Sequence, residues 1–193
     1  MAKPVNYYLT MLAPVADDPD SRLCHLETLE KQLEAHRATQ PGPLALCPAL
    51  HMARFVVIDE LPLQLGYTRR EFLARNYLLF TAEITGSRDD FLDSLYEQAP
   101  DFVRSIWRHC TGFPPELVQA GGAGTHAAVY FRRYVQRYEI PTLIPFAAFP
   151  DVSVAEIKSW LETQTKLVEF VEQHPPWAIT DQKLYDDWRS TFG

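Results

Sequence analysis

Arg54 is the side chain with the most chemistry to explain. It interrupts the run Ala53-Arg54-Phe55-Val56-Val57-Ile58, which is otherwise apolar on both faces. A guanidinium set in such a run must find an anion or carbonyl oxygens, because leaving water unpaired is costly. Two readings stay open: an ion pair with Glu83 on a neighbouring strand, or an anchor for a small anionic ligand. His51 stands three residues earlier. On a strand, positions three apart point to opposite faces, so His51 and Arg54 share a site only if a bulge intervenes. His126, after the glycine-rich stretch Gly121-Gly122-Ala123-Gly124, is the remaining candidate, and those glycines mark the expected mobile loop. The candidate ligand-binding set is therefore Arg54, His51, Glu83 and His126, with no catalytic residue assigned.

Other constellations are weaker. Cys47 and His51, with His109 and Cys110, form two loose pairs rather than the convergent ligands that a zinc site requires, so no metal is expected. Cys110 lies on the apolar stripe of a helix and reads as a small buried hydrophobe. Cys24 and His25 are adjacent on a helix and point about 100° apart, which disfavours a catalytic thiolate–imidazole pair there. No nucleophile elbow, phosphate-binding glycine loop or zinc-protease motif is present in the sequence.

The elements that position these residues follow from periodicity. Val5 to Val15, His51 to Asp59 and Tyr77 to Thr85 have strand character. The middle one, apolar on both faces, reads as a central strand covered on both sides. Between it and the third strand, a helical turn is expected around Arg69–Ala74. Pro141 to Pro150 reads as a fourth strand. Leu23, Leu26, Leu29 and Leu33 recur at helical spacing, and Pro41-Gly42-Pro43 stops that helix. Ser87 caps a helix that Pro100 should kink or divide. Thr125 to Tyr138 is read as helix on its length. Ser153 to Glu156 is a capping box opening a helix to Gln173, with Ile157, Trp160, Leu161, Leu167, Val168 and Val171 expected to face inward. Asp181 to Arg189 is a last short helix. Without the extra helix before the fourth strand, the order is β-α-β-β-α-β: an α+β, ferredoxin-like antiparallel sheet with helices on one face. The expected domain spans 1–174, with 175–193 as a C-terminal extension packed on it. The open face of the sheet needs a cover, either the late helices or a second subunit.

The segment His51-Met52-Ala53-Arg54-Phe55-Val56-Val57-Ile58-Asp59 resembles a His-Phe-Ala-Arg-Trp strand of known proteins. It is followed by Tyr77-Leu78-Leu79-Phe80-Thr81, by a Gly-Ser-X-Asp helix start, and by His109-Cys110-Thr111-Gly112-Phe113-Pro114. Over residues 5–172 the chain resembles uncharacterised ferredoxin-like domains of the dimeric α+β barrel superfamily, some associated with Dyp-type peroxidases. In those peroxidases the resemblance implies a haem, a proximal histidine and a G-x-x-D-G motif. Here Gly86-Ser87-Arg88-Asp89-Asp90 lacks the final glycine, so no catalytic residue is carried across.

Composition bounds the rest. A net charge of −7 opposes phosphate backbones, so nucleic acid is not an expected partner. The odd cysteine count, the absence of a signal-like N-terminus and of any bilayer-length apolar run predict a cytoplasmic protein that neither spans a membrane nor relies on disulfides. The expectation is an accessory domain that self-associates or binds a protein partner or small anionic ligand, with no cofactor. The alternative is a small-molecule oxidoreductase, haem-dependent or cofactor-free, with a sheet-face pocket around Arg54.

Overall fold

The computed structural model describes residues 6–17, 24–39, 41–60, 72–119, 126–146, 150–175 and 181–192. Alternating side chains make the strands. Leu9, Met11 and Ala13 of β1 (Asn6–Pro14) are buried, as are Leu78, Phe80, Ala82 and Ile84 of β3 (Phe72–Thr85), while their sequence neighbours are more accessible. β2 (Leu50–Glu60) and β1 both pair antiparallel with β3, giving a three-stranded sheet in the order β1-β3-β2. The register sets Met11 and Phe55 on either side of Phe80, so one apolar face continues across all three strands.

Helices pack on that face. α1 (His25–Ala38) lies beside α3 (Pro100–Trp107), and α2 (Arg88–Gln98) lies against α5 (Ala127–Tyr138). The Ser87 hydroxyl accepts from the amides of Asp89 and Asp90 and starts α2, as its position predicts. Pro100 divides the long helical pattern into α2 and α3, because a proline cannot supply the amide needed to continue a helix. A short turn of helix, α4 (Pro115–Val118), precedes α5, and Thr125–Tyr138 is helical over its described part. Trp107 sits at the centre of the core, in edge contact with Phe55, Phe80, Phe102 and Phe131.

Three expectations need correction. β2 is an edge strand, not a central one; its second face leaves Met52 and Arg54 exposed. β3 starts early, at Phe72, so Leu73 and Ala74 are strand where a helical turn is predicted, and 69–71 lie outside the described residues. Among the described residues the fourth strand expected at Pro141 to Pro150 is not formed; 147–149 lie outside them, and just before it stand one bridge, Met11 with Glu139, and a bond from the Ile140 amide to the Thr10 carbonyl. Pro141 and Pro145 have no amide to donate, which stops the ladder there. Beyond it Leu143, Ile144 and Phe146 are exposed. The glycine loop at 121–124 lies outside the described residues.

The turn after α3 closes the far end of β1. Ala16 donates to the His109 carbonyl and Thr111 to that of Pro14. Gly112 in this turn has φ +73°, and a Cβ there would stand 2.9 Å from the Tyr138 hydroxyl, which donates to the Thr111 carbonyl. Gly112→Ala is therefore expected to lower stability by about 1–2 kcal/mol through left-handed strain and loss of that bond. Urea unfolding with an unchanged midpoint would refute this.

The chain divides after Asp151 into two compact units. The second holds α6 (Val154–Gln173) and α7 (Asp181–Phe192). Its Ser153–Glu156 capping box forms as the spacing predicts. Within this unit α7 does not cover the face of α6 expected to point inward: Trp160, Leu161, Leu167, Val168 and Val171 are exposed, and Ile157 is half-buried. Instead Phe170 is the buried contact to α7, meeting Trp188 and Phe192, while His174 bonds Asp187. The periodicity of α6 is amphipathic; α7 packs beside its apolar stripe, on Phe170.

Candidate functional site

Among the described residues, a candidate ligand cleft lies beside β2. α1 ends at Ala38, where the Thr39 amide bonds the His36 carbonyl, and the chain turns back through Pro41 and Gly42 into a 3-10 turn, Pro43–Leu46. That reversal leaves a cleft of about 660 Å³ between the last turns of α1, the 3-10 turn, the middle of β2 and Phe102 of α3. The volume falls in the range of small-molecule sites, roughly 300–1,000 Å³. Leu33, Pro43, Leu44, Phe55 and Phe102 give it apolar walls, and Arg37, Arg54, Glu34 and His36 supply its polar groups.

His36 has a defined hydrogen-bonding state. The Ser105 hydroxyl donates to the Phe102 carbonyl, so its oxygen is left to accept from His36 Nε2 at 2.9 Å. The proton therefore sits on Nε2 and Nδ1 keeps its lone pair. The ring also rests edge-on against Phe102. Burial holds its pKa below the usual histidine value, so the imidazole is neutral at pH 7. The lining of the cleft thus includes two arginines, one glutamate and one neutral imidazole beside apolar carbon, with Arg54 at the β2 edge where it comes from the exposed face of the strand. Such a set recognises an anionic head on an apolar body; Glu34 leaves a single net positive charge.

Of the residues singled out from sequence, only Arg54 lines this cleft. It is exposed and lies opposite Thr81 on β3. The ion pair with Glu83 does not form, because Glu83 is opposite Met52 and accepts instead from Asn6 Nδ2 and the Tyr8 hydroxyl. A register irregularity between Leu50 and Met52 does place a bulge at His51, yet its Nε2 bonds Thr85 Oγ1 at 2.7 Å. His126 is exposed at the start of α5, an element that packs on β1 rather than β2. The four residues do not converge.

The cysteine–histidine pairs also go separate ways. Cys47 is buried, with its thiol pKa raised by burial. Cys110 is buried as expected, but not on a helix: α3 ends at Trp107 and Cys110 bridges Val15; burial pushes its thiol up to about 12, which makes it unreactive. His109 faces His25 with 3.2 Å between their Nδ1 atoms. Among the described residues, no three His, Cys, Asp or Glu side chains gather as metal ligands, and no helix is long and apolar enough to cross a membrane.

Asp89, from the resemblance motif, has a structural partner set. It pairs with Arg88 and Arg132; Arg88 also binds Glu139, which accepts from the Tyr7 hydroxyl. Desolvation first, then the Glu139 bond, raises the Tyr7 pKa. This network ties α2, α5 and β1 together at the bridge that replaces the fourth strand.

The chain matches no protein-family model, no curated protein and no solved structure.

His36 and Arg37 are the site residues that sequence reasoning misses. Their signal is faint: two basic residues in the last turn of a helix ordinarily complement its dipole. Only the reversal at Pro41-Gly42-Pro43 brings them to β2.

Proposed function

We propose that this chain is a ferredoxin-like binding domain that takes a small anionic molecule with an apolar body in the cleft between α1 and β2. The antiparallel bridge of Glu139 with Met11 supports this topology, in which a fourth strand would lie beside the outer edge of β1. One observation carries the binding reading: a cleft with apolar walls that has both Arg37 and Arg54 in its lining. Charge-assisted bonds to a carboxylate are worth about 1.5–3 kcal/mol each, enough to select anions over neutral analogues. Apolar walls then favour a medium-length hydrocarbon body.

Titration with octanoate, octanol and octylamine, followed by amide chemical shifts of the full chain, tests the reading. Octanoate is expected to bind best and to shift residues 33–44 and 53–55. Arg54→Met should weaken it at least tenfold, about 1.4 kcal/mol, while His51→Asn leaves it unchanged. Equal binding of octylamine, or no effect of Arg54→Met, would refute the proposal.

A further inference from the structure

The exposed stripe of α6 has an internal symmetry. Its large apolar residues stand at equal distances on either side of Gln164: Leu161 and Leu167 at three residues, Trp160 and Val168 at four, Ile157 and Val171 at seven. At 100° per residue they fall within about 120° of the helix circumference, interrupted only by Gln164 itself. Phe170, which meets α7, lies beside this arc rather than within it, so α7 leaves the stripe open. Trp160 is 57% exposed, Leu161 56% and Val171 61%.

A stripe symmetric about its midpoint matches its own reverse. We propose that it binds a second copy of this chain, with two α6 helices packed antiparallel about a twofold axis at Gln164. In that register Leu161 meets Val168 on one flank and Trp160 meets Leu167 on the other, with Ile157 and Val171 together near each end. The two Gln164 carboxamides meet at the axis, where each has a donor and an acceptor for the other, the kind of polar pair that fixes register in helical interfaces. Charge supports the same direction. Antiparallel packing brings like flanks of the two helices together, which places Lys158 of one copy within a turn of Glu169 and Glu172 of the other, twice by symmetry. The apolar surface offered is roughly 500 Å² per copy, so about 1,000 Å² in the pair, at the lower limit for a specific interface. The dimer is accordingly concentration-dependent.

Sedimentation velocity of the full chain over a wide concentration range is the test, read against a monomer of 22.1 kDa. A reversible shift towards twice that mass is expected. Leu161→Glu with Val168→Glu should abolish it, with the helical circular dichroism retained because both positions are exposed. Lys158→Glu alone should raise the dissociation constant about tenfold, and adding Glu169→Lys and Glu172→Lys should restore it. A chain that stays monomeric throughout would overturn the proposal, whether the stripe is then covered by the first unit or binds lipid vesicles. A dimer that survives Leu161→Glu with Val168→Glu would overturn it too, as would a dimer tightened by Lys158→Glu.

Discussion

Trp107→Ala is expected to destabilise the protein by about 3–5 kcal/mol, the range for removing a large aromatic from a packed core. Trp107 is fully buried and touches Phe55 of β2, Phe80 of β3, Phe102 of its own helix and Phe131 of α5. Its removal leaves a void bordered by the sheet and by both helical groups, which cannot all close in upon it. Against a total stability of about 5–15 kcal/mol, the loss is a large fraction. Trp107→Phe is the informative companion. The indole Nε1 has no hydrogen-bond partner among the described residues, so phenylalanine forfeits none of their bonds and should cost only about 1 kcal/mol. Equilibrium unfolding of the three proteins checks the order; similar midpoints for the alanine and phenylalanine variants would show that the ring cluster is not the centre of the core.

Acid should weaken the fold through His109. The residue is 4% exposed, and burial first, then His25 and Arg108 nearby, lowers its pKa from the ordinary 6.5 to about 4. A histidine held neutral in the folded state favours folding above its unfolded value. That contribution is complete above pH 6.5 and disappears as pH falls to about 4, because the unfolded chain takes up the proton first. At 1.36 kcal/mol per unit the loss amounts to about 3 kcal/mol at most. His109→Gln cannot titrate, so its stability should fall less steeply over this window even though it starts lower at pH 7. Parallel slopes for the two proteins between pH 6.5 and 4 would exclude His109 as the source.

Much of the architecture is legible because it is local. Ser87 and Ser153 cap helices wherever they stand before an acidic residue, Pro100 breaks a helix regardless of its neighbours, and the alternation of Leu9, Met11 and Ala13 marks a strand from within. The failures concern what lies opposite. Ala53-Arg54-Phe55-Val56-Val57-Ile58 is apolar on both faces, but whether anything covers the second face, or pairs with the outer edge, is decided by segments far away in the chain. The stripe of α6 is equally plain in the sequence; its lack of a partner within the hairpin is not. Arg54 is noticeable because it is out of place among apolar residues. His36 and Arg37 look like ordinary helix-end cations until Pro41-Gly42-Pro43 turns the chain back and they line one cleft with Phe55 and Phe102.

The division at Ala99 and Pro100 has a larger effect than a local change of direction. α2 lies against α5, and α3 lies against α1. An uninterrupted helix from Arg88 to Trp107 would run about 30 Å in one line and could lie along one of those neighbours but not both. One proline thus lets a single stretch of chain act as the keystone between the two halves of the helical layer, joining segments that stand far apart in sequence.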